Sequence, residues 1–201
     1  MKIRFSLALG ILLLLPVATA APAMAQNRAQ SWEFGPYLVF TDFDPDTEIQ
    51  DETGLGFRFG YNFTPVHELE MLFDTVSSQD SVISEIDIDE WKFETNYVAN
   101  FIFSHNQPVV PYFTTGLGFV RYEINDPLFG SDDETDPAFN IGGGVRFFFG
   151  KTFNLRLDFR SIFYQGDNVI LRDIDFQNNE FSVGVGWVVG GHTGRGGHRY
   201  P

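Results

Sequence analysis

The sequence predicts an all-β chain: eight antiparallel strands joined up-and-down and closed into a barrel. Three observations carry this reading. Eight stretches alternate residue types with period two, the pattern of a strand with two unlike faces. On these stretches large apolar side chains share one face, while glycines and charges share the other. The connections alternate between long acidic segments and short ones rich in Pro, Gly, Asn and Lys. The second observation fixes the direction of the faces. A small closed barrel has little interior room, so glycines and a few flexible cations suit its inside better than stacked phenylalanines. The aromatic face then points outward, and the surroundings that accept it are lipid. The expected fold is an eight-stranded transmembrane β-barrel, with a soluble secreted barrel as the fold alternative.

The elements follow in order. The first strand is expected over 32–41, with Phe34, Leu38 and Phe40 opposite Glu33, Gly35, Tyr37 and Thr41. After a long acidic loop, 54–63 reads GLGFRFGYNF, the plainest alternation in the chain. A turn at Thr64-Pro65 follows, since proline cannot continue a ladder. The third strand, 66–76, sets Leu69, Met71 and Phe73 against Glu68, Glu70 and Asp74. The fourth, 88–103, sets Trp91, Phe93, Tyr97, Phe101 and Phe103 against Glu90, Lys92, Glu94, Asn96 and Asn100. The fifth, 109–122, contains Pro111, which suggests that regular pairing begins near it. A third long loop is expected over 123–136, with the acidic run Asp132-Asp133-Glu134. The sixth strand, 137–149, the seventh, 153–164, and the eighth, 180–189, repeat the same asymmetry. Trp32, Tyr61, Trp91, Tyr97 and Trp187 are expected in aromatic girdles at the membrane interfaces.

Composition limits the function classes. Phenylalanine is abundant, at 23 of 201 residues, which favours strands over helices. Cysteine is absent, so neither a disulfide framework nor a thiolate metal site is available. The N-terminus carries Lys2 and Arg4, a short apolar run broken by Pro16, and Ala23-Met24-Ala25. This is the pattern of a secretory signal peptide cleaved between Ala25 and Gln26, with Ala18-Thr19-Ala20 as a second site. Cleavage removes two of the 13 basic residues and none of the 27 acidic ones, moving the net charge from −14 to −16. Such a chain is not expected to bind nucleic acid. The expected division is 1–25 signal peptide, 26–31 short periplasmic leader, 32–189 barrel, and 190–201 flexible Gly-rich periplasmic tail.

Gly56-Phe57-Arg58-Phe59-Gly60-Tyr61, Glu68-Leu69-Glu70, Pro111-Tyr112, Gly116-Leu117-Gly118-Phe119, Asn140 through Arg146 and Leu155 through Arg160 carry a resemblance in their order. Through them the chain resembles the OmpA-like eight-stranded outer-membrane β-barrel family over 32–189. The resemblance covers the barrel and not a peptidoglycan-binding domain. It implies a Gram-negative-type outer membrane, both termini in the periplasm, contact with lipid and lipopolysaccharide, and handling by the barrel-assembly machinery. The last strand resembles the C-terminal signal read by that machinery. Ser182, Gly184 and Trp187 match it, while Val189 stands where an aromatic is usual.

Thirteen charged residues fall on the face assigned to the lumen: Glu33, Arg58, Glu68, Glu70, Asp74, Glu90, Lys92, Glu94, Arg146, Arg156, Asp158, Arg160 and Glu180. Charges confined in a narrow interior must pair or be solvated, so an ion-pair network filling the barrel is expected. The functional alternative is a polar ion path or gate. Glu68 and Glu70 lie at i, i+2 and so share a strand face, which does not make them an acid–base pair. Lipid-modifying barrel enzymes need a His-centred site near the outer leaflet. His67 and His105 lie by short turns and His192 and His198 in the tail, so no catalytic residue is expected. Asp42, Asp44, Asp46 and Glu48 have the spacing of oxygen ligands for a hard cation but lack the glycine and closing glutamate of an EF-hand loop. They are expected to form a solvated acidic loop, and no cofactor is expected. The expected role is structural or surface-interacting, with an extracellular ligand left open. A small porin for a small or hydrophobic solute and a lipid-modifying enzyme are the alternatives.

Overall fold

The computed structural model describes residues 27–42, 52–79, 87–104, 107–126, 130–166 and 174–192. Eight strands close into one antiparallel barrel in chain order. They are β1 (Ala29–Asp42), β2 (Glu52–Asn62), β3 (His67–Gln79), β4 (Asp87–Asn100), β5 (Val109–Asp126), β6 (Gly130–Phe149), β7 (Phe153–Gly166) and β8 (Ile174–His192). Closure is made by β1 against β8, from Ala29↔His192 to Asp42↔Asn179. Every strand therefore has two neighbours, and no ladder is left open to lipid.

The alternation read from the sequence sets the register. Phe57 is 49% exposed and Arg58 beside it 1%, so the aromatic face points out and the charged face in. That pairing decides between a lipid and an aqueous surround. A continuous outer band including Leu38, Phe59, Phe73, Phe93, Phe119 and Phe139 is exposed, and water would not tolerate a patch of that extent. Trp32 stacks on Phe59 and tilts against Tyr61 near one rim, and Phe153 meets Trp187 edge-on near the same rim. Phe73 with Trp91 and Phe139 with Phe163 lie nearer the other rim. These two aromatic belts bracket the apolar band.

The two rims differ. The turn end carries both chain ends of the barrel and the short connections 63–66, 101–108 and 150–152. The loop end carries the connections 43–51, 80–86, 127–129 and 167–173, of which 127–129 is as short as 150–152. At the turn end Gln107 stands in for missing ladder bonds. Its amide donates to the carbonyls of Phe101 (2.9 Å) and Val109 (2.7 Å) and accepts from Phe103 N–H (2.6 Å). β4 accordingly stops at Asn100, short of the expected 103. Pro111 does not delay β5. It sits in the ladder opposite Val145, and its carbonyl accepts from Phe101 N–H at 2.9 Å.

Other strands run longer than alternation indicates. The third loop, expected over 123–136, is mostly a hairpin: β5 and β6 stay paired to Asp126↔Gly130. Backbone ladders persist where both faces are polar, and a hydrophobic period cannot register them. β1 begins at Ala29 inside the expected leader, and β8 runs to His192 inside the expected tail. Gly190 and Gly191 make the latter extension with φ of 75° and 78°, a conformation that glycine adopts without strain. The signal peptide with Ala25 and Gln26, the acidic residues Asp44, Asp46 and Glu48, and the tail from 193 onward lie outside the described residues.

Candidate functional site

All thirteen predicted lumen residues point inward and are buried, from Glu68, Glu94, Arg146 and Arg156 at 0% exposure to Glu180 at 4%. They are positioned by a feature that starts with glycine. Where the inner wall has no side chain, a tyrosine ring lies flat against the backbone. A Cβ on Gly56 would strike the Tyr37 ring, and one on Gly144 would strike the Tyr112 hydroxyl. The arginines then stack on those rings. Arg58 lies over Tyr37 at 4.6 Å, and Arg156 and Arg146 lie over Tyr112 at 4.7 and 5.0 Å. Each stack gains cation–π attraction while holding a guanidinium away from the wall. The carboxylates meet the arginines in the space that remains.

The lumen is layered. Nearest the turn end, Val110, Phe148 and Val188 form an apolar plug, with Ile102 packed against it. Above it Arg146 donates to Glu68 (2.5 Å) and to the Asn100 side-chain oxygen (2.8 Å), with Glu33 at 3.6 Å.

The middle layer is built around Asp158. Arg58 donates to its Oδ2 at 3.0 Å and Arg156 to its Oδ1 at 3.2 Å, with Arg160 at 3.6 Å. The Ser182 hydroxyl donates to it at 3.2 Å, and the Tyr112 hydroxyl closes on it as well. Arg156 also binds Glu70 through both Nη atoms, and Arg160 donates to Glu94 at 3.1 Å. Three arginines thus meet three carboxylates, Asp158, Glu70 and Glu94. Asn140 on β6 donates to Asn96 on β4 at 2.7 Å, over Gly116 of the strand between them.

Toward the loop end the balance changes. Lys92 is paired with Asp74 (3.0 Å) and with Glu180. The Tyr37 hydroxyl donates to Asp74 at 2.5 Å. Glu90 belongs to the same group: carboxylate oxygens of Asp74, Glu90 and Glu180 all lie within 4.8 Å of one another. Around this layer pack Val39, Leu72, Val76, Val120, Ile162, Tyr122 and Tyr164, with a 2.7 Å bond between the two tyrosine hydroxyls.

These inward apolar residues, the Tyr122–Tyr164 pair and the buried Asp136 were missed by the sequence reading. Strand parity was the available signal, since each continues the inward face of its own strand. Asp136 lies at the end of the segment 123–136 expected as a loop, and pairs in the β5–β6 ladder opposite Val120. The assembly-signal residues divide by the same parity. Ser182 and Gly184 face in, while Trp187 and Val189 face out. Of the acidic-loop residues, Asp42 is the exposed last residue of β1. His67 accepts or donates a 2.5 Å bond with the Tyr97 hydroxyl on the outer surface, away from any carboxylate of the lumen.

An eight-stranded barrel with an aromatic exterior and a salt-bridged interior directs comparison to outer-membrane proteins. The outer membrane protein beta-barrel domain family matches residues 10–188. The chain belongs to that family. Its barrel is similar to that of Neisserial surface protein A, with a TM-score of 0.63 at 14% identity, covering 78% of this chain and 96% of the other. It is also similar to the N-terminal barrel of Pseudomonas aeruginosa OprF, with a TM-score of 0.56 at 15% identity, covering 81% and 99%. A third similar barrel is Ail, the attachment invasion locus protein of Yersinia pestis, with a TM-score of 0.53 at 14% identity, covering 79% and 97%. No curated protein matches the sequence. As a member of this family the chain is an outer-membrane β-barrel protein whose lipid-facing band meets the hydrocarbon of that membrane.

Proposed function

We propose that this outer-membrane barrel is closed to solutes, has no catalytic activity, and acts through its surface. The observation that supports this is the filled lumen. Fully buried ion pairs occupy its middle, and the Val110–Phe148–Val188 plug lies across its turn end. In this reading both chain ends lie in the periplasm, the acidic loops face outward, and the strand bearing Ser182, Gly184 and Trp187 engages the barrel-assembly machinery. The loops then select partners by charge. The Yersinia barrel Ail has been solved with a heparin analogue, a polyanion. A mature chain at −16 repels polyanions and favours cationic or metal-bridged ligands.

Planar-bilayer recording of the purified protein tests the closed lumen. The expected result is no step conductance above the lipid background. Discrete channels would overturn it in favour of the small-porin reading. That rival draws on buried polar atoms without protein partners, such as both amide atoms of Asn62 and Asn154 near the turn end, which a water file would satisfy.

A further inference from the structure

Among the described residues, the loop-end layer of the lumen has one cation facing three carboxylates. Lys92 is shared by Asp74 and Glu180, and Glu90 completes the group. Glu94, on the same face, is held by Arg160 and offers no relief. Tyr37 engages Asp74, and the buried Asp136 adds a further acid from β6, opposite Val120. Glu90 is 3% exposed, and its Oε2 has no hydrogen-bond partner. Glu90 lies near the loop-end start of β4.

We propose that Asp74, Glu90 and Glu180 bind one hard divalent cation of calcium's size inside the barrel, next to Lys92. The geometry and the charge agree. Calcium takes oxygen ligands at about 2.3–2.6 Å, so two ligands on opposite sides of the ion stand about 4.6–5.2 Å apart. The three carboxylates offer oxygens within 4.8 Å of one another, no farther apart than opposite ligands of one such ion. The charges of Asp74, Glu90 and Glu180 are matched by Lys92 and one divalent ion together. The ion lies on the Glu90 side, where Oε2 is free, and shares Asp74 and Glu180 with the lysine as bridging carboxylates. This interior site is independent of the surface role proposed above. It is also distinct from the Asp42–Glu48 loop, whose spacing suggested a cation in the sequence.

The test uses terbium(III), a calcium-sized ion that luminesces when excited through a nearby tyrosine. Tyr37 contacts one proposed ligand, and Tyr122 lies in the same layer. The full mature chain, refolded in lipid vesicles, is titrated with terbium and then competed with calcium. A variant carrying Asp44→Asn, Asp46→Asn and Glu48→Gln removes the loop contribution. The expected result is one saturable, calcium-displaceable site that survives the loop substitutions. Glu90→Gln should weaken it by about tenfold or more. Folding of each variant is checked by its shifted gel mobility before heating. Three results would overturn the proposal: no saturable signal in the loop variant, an unchanged affinity in folded Glu90→Gln, or stabilisation of the wild type by acid pH with no effect of calcium. The last would assign protons to the place of the ion. If Glu90→Gln does not fold, Glu180→Gln carries the same expectation and the same refutation.

Discussion

The middle and loop-end layers of the lumen use the same residue types and reach different electrostatic states. In the middle, Arg58, Arg156 and Arg160 face Asp158, Glu70 and Glu94, and the charges cancel. At the loop end, Lys92 alone faces Asp74, Glu90 and Glu180. Arginine explains part of the contrast. Its planar fork binds two carboxylates at once and stacks on a ring, as Arg156 does on Tyr112, whereas lysine is a compact point charge. The middle layer is a self-sufficient brace. The loop-end layer has an excess of acid and so responds to whatever cation is available. Burial alone does not tell the two apart; the count of partners does.

The largest test removes the brace. Arg156→Ala leaves Glu70 without its main partner in a buried site and removes one of the arginines around Asp158. It should cost about 3–5 kcal/mol, read as the urea midpoint of unfolding from vesicles. Replacing Arg156 and Glu70 together with methionine should recover much of that loss, because the penalty comes from the stranded charge.

The sharpest test makes one chemical change in both layers. Asp158→Asn should destabilise by about 3 kcal/mol, since it leaves an arginine uncompensated. Glu90→Gln in chelator should instead stabilise by about 1 kcal/mol, since it relieves like-charge repulsion. With calcium present the sign for Glu90 should reverse. Equal destabilisation by both substitutions in chelator would erase the distinction between the layers.

Gly56→Ala tests the wall beneath both layers. Its methyl would displace the Tyr37 ring, which carries Arg58 on its face and donates to Asp74. A loss of about 1–3 kcal/mol is expected from the same unfolding curve. The smallest effect belongs outside the lumen. Gln107→Ala should cost about 1 kcal/mol and increase amide exchange at Phe103, without altering either layer.

Most of the barrel was legible because period two is a strong local signal. Phe57 and Arg58 point in opposite directions in any strand that contains both, and size then decides which is inside. The thirteen lumen charges were readable for the same reason. Their pairing was not. Arg156 meets Glu70 across the barrel, 86 residues away in sequence, and alternation carries no information about strand height or tilt. The role of Tyr37 and Tyr112 was hidden because it depends on glycines in neighbouring strands, Gly56 and Gly144. The β5–β6 extension was hidden because a ladder with two polar faces has no hydrophobic period to detect.

The β1–β8 seam has a consequence for the order of events in assembly. Ala29 pairs with His192, so the first and last strands of the barrel meet across nearly the whole chain. Each of the other seven pairings joins strands adjacent in sequence and can form from a local hairpin. The seam closes a loop made of everything else, which gives it the largest entropic barrier of the eight. Until it forms, two strand edges lie open, and Glu33 of β1 is not held in place against Arg146 and Arg156. Sealing against lipid and placing Glu33 and Glu180, the lumen carboxylates of the seam strands, are therefore completed in the same step.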